Sequence, residues 1–216
     1  MISHGERLAV LVHEVRSPVA ALSAIAEAAA ATPVDDVSRG ELARLALTAA
    51  RAIERIVMDI AVTSVRMEQL DVAALAHDAV AAFSARGRHV VLEGPERPLV
   101  VDADPVRLRQ ALDNLIANAL THAGTAYPVT IRVTATRDDV EIAVSDGGRG
   151  IPPGELAHIF EPGVRLVSDT TGSGLGLALS RAIVDAHGGV IAVDSIVGEG
   201  STFTIVLPRR NSQPAT

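Results

Sequence analysis

Apolar residues recur at alternating intervals of four and three over residues 5–31, at Leu8, Val12, Val15, Val19, Leu22 and Ala26. That rhythm lays them along one stripe of a helix. The stretch from Ala31 to Val37 breaks it, with Pro33 as the stop. Ser38 with Glu41 predicts the capping box of a second helix, which runs to about Met67 along Leu42, Ala46, Ala49, Ile53, Ile56, Ile60 and Thr63. Two antiparallel helices with matching seams predict a hairpin. A two-helix hairpin buries too little surface to stand alone. The pattern therefore predicts a homodimer whose two hairpins form a four-helix bundle.

Glu68–Asp71 reads as a boundary, and beyond it helix and strand patterns mix. Val72–Arg86 reads as a helix, Val90–Leu92 and Leu99–Val101 as short strands, and Pro105–Ala123 as a long amphipathic helix. Val129–Thr136 and Val140–Ser145 alternate like half-buried strands joined by a tight turn. Gly154–Phe160 reads as a short helix, and the polar, aperiodic Glu161–Ser173 as a mobile loop. Leu175–His187 is a helix stopped by Gly188 and Gly189. Val190–Asp194 and Ser201–Leu207 form a closing hairpin. The expected class is α+β: a helical hairpin over residues 1–68, an α/β sandwich over 69–210, and a disordered tail over 211–216.

Composition narrows the chemistry. The 216 residues are 48% hydrophobic and only 2% aromatic, so Ala, Val, Leu and Ile must fill the core. Without cysteine there are no disulfides or thiolate metal sites. A net charge of −7 with scattered arginines argues against nucleic acid as a partner. No lysine occurs, which excludes a Walker-type phosphate loop. No apolar run reaches the ~20 residues of a membrane span, and no signal-peptide pattern is present. A soluble piece without membrane contact is expected.

Three motifs carry candidate chemistry. The first is His13-Glu-Val-Arg-Ser-Pro18. His13 lies one position past the Val12 seam, at the bundle edge, and Glu14 can take a proton from one ring nitrogen and leave the other nucleophilic. Pro18 cannot donate to the Glu14 carbonyl, so strain or a bend is expected one turn later. The second is Asp113-Asn114 through Asn118 to His122. Asn114, Asn118 and His122 are four apart and share a helix face, and asparagine carbonyls suit a hard cation such as Mg2+ beside phosphates. The third is the glycine pair: Asp146, Gly148 and Gly150 at a strand end, then Gly172, Gly174 and Gly176 opening a helix. Glycines there let backbone N–H groups approach a phosphate chain, and a carboxylate suits the exocyclic amine of adenine.

Taken together, these motifs resemble a sensor histidine kinase of bacterial two-component systems over about residues 5–208. His13 to Pro18 resembles the phosphoacceptor box, Asn114 and Asn118 the asparagine box, Asp146, Gly148 and Gly150 the first glycine box, and Ile159, Phe160 and Arg165 the phenylalanine box. Gly172, Gly174 and Gly176, with Leu175 between them, match the second glycine box; His187-Gly-Gly and Gly198-Glu-Gly-Ser-Thr202-Phe resemble the closing segment. The resemblance implies a Bergerat-type ATP-binding fold of the gyrase, Hsp90, histidine kinase and related superfamily. It implies ATP as phosphoryl donor, Mg2+ held by Asn118, phosphates near Asn114, and adenine read by Asp146 with Thr202 close by. Arg165 would steady the γ-phosphate. His13 would be phosphorylated, Glu14 would take its proton, and an aspartate on a response-regulator receiver domain would receive the phosphoryl group. A cytoplasmic location is implied, as for the cytoplasmic part of a membrane-anchored sensor.

Three positions depart from that pattern. His122 stands where a lysine or arginine is usual, Ser17 where threonine or asparagine supports response-regulator dephosphorylation, and Gly163 where a second aromatic is common. Two other readings compete. A histidine phosphotransferase relay would have an inactive nucleotide domain. A related ATPase or serine kinase would lack the phosphoacceptor hairpin, whereas His13 and Pro18 are present here.

Overall fold

The structure, a computed structural model, describes residues 4–31, 35–63, 65–95, 97–123, 128–164 and 174–209. The chain divides into two compact units, Met1–Ile60 and Ala61–Thr216. The first is built on two helices, α1 (His4–Ala31) and α2 (Asp36–Thr63). α1 continues through Pro18 without a break in its helical assignment, and Pro18 is buried. The less exposed side of α1 follows Val15, Pro18, Leu22 and Ile25, not Val19 and Ala26, which face solvent. At these two turns the covered position is the residue before the one read from the sequence, Pro18 for Val19 and Ile25 for Ala26.

α2 starts earlier than its sequence pattern implied. Asp35, rather than Ser38, provides the cap: its carboxylate accepts the Ser38 N–H at 2.8 Å and lies 3.2 Å from the Ser38 hydroxyl. Those hydrogen bonds hold the Asp35 carboxyl below its usual pKa. Glu41, expected to close a capping box, instead pairs with Arg44. The helix stops at Thr63, so Met67 is not part of it.

The second unit is a two-layer α/β sandwich. Glu68–Asp71, read as a bare boundary, is a strand, β1, paired antiparallel with β3 (Val100–Ala103). α3 (Val72–Ser84) follows β1 directly. Asp71 caps α3 by accepting the Ala73 N–H and also accepts the Leu99 N–H, each at 3.0 Å. One carboxylate thus fixes both the start of a helix and the entry to β3. β2 (Val90–Glu93), β4 (Val129–Ala135), β5 (Asp139–Asp146), β6 (Val190–Ile196) and β7 (Gly200–Pro208) form the main sheet in the order β2-β4-β5-β7-β6. Only the β2–β4 pair is parallel.

Alternation along the central strands gives the sheet one buried face. Ile131, Val140, Ile142, Val144, Phe203, Ile205 and Leu207 are all at most 1% exposed. Onto that face pack α3, α4 (Pro105–His122) and α6 (Gly176–Ala186). Leu108, Ala111, Leu112, Leu115, Ile116 and Ala119 of α4 are fully buried. Each large aliphatic chain removed from water there is worth ~2 kcal/mol, so α4 is anchored along its whole length. The Gly154–Phe160 helix shrinks to one turn, α5 (Pro153–Leu156). Tight turns follow it, with the His158 N–H on the Glu155 carbonyl and the Glu161 N–H on the His158 carbonyl.

Candidate nucleotide site

The C-terminal ends of β5 and α4 and the N-terminal end of α6 carry most of the expected residues. Asp146 closes β5 and is 9% exposed. Its carboxylate accepts the Gly148 N–H at 2.9 Å. Burial pushes this carboxyl above its ordinary pKa, against the opposing pull of the Gly148 N–H, of nearby His122 and of the Ser201 N–H. A buried acid with partly satisfied oxygens is a good acceptor for an amine that enters the same cavity.

The turn after Asp146 is packed backbone against backbone. A Cβ at Gly148 would collide with the carbonyl of His122. Gly150 takes φ +69, and a Cβ there would strike the Ile196 carbonyl at the end of β6. The Gly198 N–H donates to the Arg149 carbonyl at 2.8 Å, and the Ile151 N–H to the Ser195 hydroxyl at 2.8 Å. The β6–β7 turn is therefore the floor on which this glycine turn rests.

Asn114, Asn118 and His122 follow one another along α4, each half-buried. Asn114 donates from Nδ2 to the Gly176 carbonyl at 3.4 Å, joining the asparagine helix to the first residue of α6. Gly174 takes φ +73, where a Cβ would press on the Gly163 and Val164 backbone. The Gly163 N–H donates to the Gly174 carbonyl at 3.2 Å. Leu175 precedes α6, and its side chain makes no capping hydrogen bond to the N-terminus of that helix. An uncapped N-terminus that opens on glycines presents backbone N–H groups and a positive dipole end to an anion.

Phe160 is held edge-on to buried Phe203, with ring centroids 6.3 Å apart, and the Arg181 guanidinium of α6 lies 5.6 Å from its ring centre. The ring stands three residues before Gly163, where the chain leaves this site.

Thr202 is not beside Asp146. In the β5–β7 register it faces Ser145, with the two hydroxyls 2.9 Å apart. Adjacent strand residues point to opposite faces, so the residue on the Asp146 face is Ser201, 8% exposed. Sequence reasoning missed Ser201 because a one-residue register step decides which of two neighbouring hydroxyls turns inward. Arg165 and Gly172 lie outside the described residues, as do the side chains of His13 and Glu14; the backbone of those two belongs to α1. Ser17 is exposed on α1.

Among the described residues, no three His, Cys, Asp or Glu side chains gather to cage a metal. A cation here would rest on the hard carbonyl oxygen of Asn118 and on the ligand's own phosphate oxygens, the coordination that suits Mg2+. The donor set fits that role. Among the described residues no helix is long and apolar enough to cross a membrane.

Residues 103–211 match the family model described as Histidine kinase-, DNA gyrase B-, and HSP90-like ATPase. The chain is 33% identical to the sensor histidine kinase ZraS of Salmonella typhi over 219 residues, covering 96% of this chain and 46% of that protein. It is 38% identical over 125 residues to the sensor histidine kinase WalK of Bacillus subtilis (strain 168), covering 55% of this chain and 20% of that one. The chain thus spans about half the length of the ZraS relative. Among solved structures, full-length ShkA in complex with AMPPNP superposes with a TM-score of 0.67 at 25% identity, over 97% of this chain and 47% of that one. The mycobacterial sensor histidine kinase MprB superposes at 0.59 with 29% identity, over 67% of this chain and 99% of that one. With its buried acid, asparagine helix and glycine-opened α6, the chain belongs to the histidine kinase-, DNA gyrase B- and HSP90-like ATPase family.

Proposed function

We propose that the chain is an ATP-dependent protein histidine autokinase that phosphorylates His13 and passes the phosphoryl group to an aspartate of a response-regulator receiver domain. The observation that carries this reading is the Asn114–Gly176 bond, which joins the asparagine helix to the glycine-opened helix. The Asp146 carboxylate offers the adenine contact, and the α6 N-terminus with Gly174 offers backbone N–H groups to the phosphates. Asn118 would hold Mg2+, whose charge offsets that of the phosphates. His122, imidazole where a permanent cation is usual, gives a weaker, pH-sensitive phosphate contact. Arg165 completes the γ-phosphate contacts. ShkA was solved with AMPPNP, an ATP analogue, which supports ATP as the nucleotide.

In the transfer, a ring nitrogen of His13 forms the bond to the γ-phosphorus as the bond to the β–γ bridging oxygen breaks. ADP leaves with that electron pair. Glu14 accepts the proton from the other ring nitrogen. In the second step the aspartate oxygen takes the phosphoryl group and the imidazole is regenerated. Ser17, one turn beyond His13, keeps a hydroxyl able to orient water for dephosphorylation of the response regulator. Exposed Val19, Leu45 and Leu47 on the two long helices support a homodimer through residues 1–68. The catalytic sandwich then occupies 69–210, and the chain works as the cytoplasmic portion of a signalling protein.

The competing relay, with its nucleotide domain inactive, would have no use for the tightly packed Gly148 and Gly150 turn. Incubation with Mg-ATP, followed by mapping of phosphorylated residues at alkaline pH, tests the proposal. Label is expected on His13 and absent from His13→Gln, which should still bind ATP. Label that persists in that variant, or a wild-type chain with no Mg-ATP-dependent thermal shift, would overturn it.

A further inference from the structure

Helices α4 and α6 are tied together by three polar rungs in a constant antiparallel register. At the nucleotide end, Asn114 Nδ2 donates to the Gly176 carbonyl. In the middle, the fully buried Ser180 hydroxyl is shared between the Ala111 carbonyl, at 3.2 Å, and the Gly176 carbonyl, at 2.9 Å. At the far end, the Asp104 N–H donates to His187 Nε2 at 2.9 Å. Seven residues along α4 and its cap, from Asp104 to Ala111, are matched by seven along α6, from Ser180 to His187. A slip of either helix would therefore break the lower two rungs together.

The far rung is the least expected of the three. His187 is 4% exposed, and nothing in the phosphoryl transfer uses it. Its Nδ1 lies 2.7 Å from the Ile183 carbonyl. A carbonyl only accepts, so Nδ1 carries the proton; Nε2 receives an N–H and so carries none. The ring is a neutral, fixed tautomer with both nitrogens engaged. Its partner Asp104 is itself a junction. One carboxylate oxygen accepts the Val106 and Arg107 N–H groups and so caps α4, each at 3.0 Å. The other accepts the N–H of Arg66 at 2.8 Å, in the short segment between α2 and β1. A single buried cluster thus joins that segment, the start of the asparagine helix and the end of the glycine-opened helix.

We infer that His187 is a positioning residue for nucleotide binding: through the Asp104 backbone it locks the register of α4 against α6, and so sets Asn114 and Asn118 against the Gly174–Gly176 turn from the opposite end of the helix pair. The inference rests on the nucleotide site proposed above. It concerns a residue that touches no nucleotide.

Two substitutions separate the two bonds of the ring. His187→Asn reaches the Ile183 carbonyl but is too short for the Asp104 N–H. His187→Gln can present an acceptor where Nε2 now stands. Affinity for AMPPNP with Mg2+ is measured on the full chain by calorimetry, at a temperature where each variant is folded by its melting curve. The Asn variant is expected to bind roughly three- to tenfold more weakly and the Gln variant close to wild type. Should the Asn variant not fold, Ser180→Ala, which removes the middle rung with little change in volume, is expected to show the same weakening. Wild-type affinity in the Asn variant, or in Ser180→Ala where that stands in for it, would overturn the inference, as would equal weakening in Asn and Gln. A wild-type chain that binds no AMPPNP would instead overturn the nucleotide site itself.

Discussion

Ser201 stands opposite Asp146 in the β5–β7 pair, on the same buried side of the sheet. Its hydroxyl lies 3.0 Å from that of Ser195, which in turn accepts the Ile151 N–H beyond the glycine turn. Ser201→Val should therefore weaken nucleotide binding by about 1 kcal/mol, the worth of one neutral hydrogen bond. Thr202→Val, on the other face, should leave affinity within about twofold. Calorimetric titration of both variants checks the ordering.

Asp146→Asn should weaken ATP binding by roughly 1–3 kcal/mol, since a charge-assisted bond to the adenine amine is lost. Acidity adds a second signature. Burial, only partly offset by the Gly148 N–H, His122 and the Ser201 N–H, raises the carboxyl in the fold above its ordinary value. Between the unfolded and folded values the native state holds more protons than the unfolded chain, so this group favours the nucleotide-free fold as pH falls. Binding responds in the opposite sense, because protonation removes the anionic acceptor. Affinity measured downward from pH 7 should decline in the wild type and more shallowly in the Asn variant.

Gly148→Ala should damage both binding and fold. The added methyl has no room against the His122 carbonyl, which α4 cannot withdraw without giving up its buried stripe. A stability loss of about 1–3 kcal/mol is expected by urea denaturation, along with loss of the Mg-ATP thermal shift.

Asn118→Ala should remove the Mg2+-dependent part of nucleotide binding and spare the fold, because the side chain is only half-buried. Titration of ADP with and without Mg2+ checks it: the two curves should coincide in the variant and differ in the wild type.

Asp104→Ala should cost stability at neutral pH by roughly 1–3 kcal/mol, as the α4 cap and the Arg66 bond are lost together. Burial alone would raise this carboxyl. The N–H groups of Arg66, Arg107 and Val106 outweigh burial and hold it below the usual carboxylate value. A lowered acid stabilises the fold above its unfolded pKa and loses that contribution as pH falls through its folded pKa. The gap between wild type and variant should accordingly close in strong acid.

Much of the sandwich was legible because its sheet has one wet face. Val140, Ile142 and Val144 alternate with half-exposed neighbours, and the apolar stripe of α4 recurs for five turns with its polar face intact. β1 was not legible. Glu-Gln-Leu-Asp has a single apolar residue, and its partner Val100–Ala103 lies some thirty residues on, so only tertiary pairing makes it a strand. The α2 cap was misplaced because Asp35 and Ser38 are both good capping types, and side-chain reach decides between them. Thr202 was read as lying close to Asp146 because the sequence does not reveal the β5–β7 register, in which Thr202 faces Ser145. The His187–Asp104 bond joins residues 83 apart in the chain and leaves no periodic signal at all.

The backbone bond from Gly163 to Gly174 has a consequence for how this protein can diverge or be re-engineered. It brings together the two ends of a ten-residue interval, so closure of that interval is set at the two glycines. Closure entropy grows with the logarithm of length, and a doubled insert costs about 0.6 kcal/mol more. By closure entropy alone, a change of length in that interval costs the fold little, so its length can vary between relatives while Arg165 and Gly172 keep their proposed places beside the nucleotide.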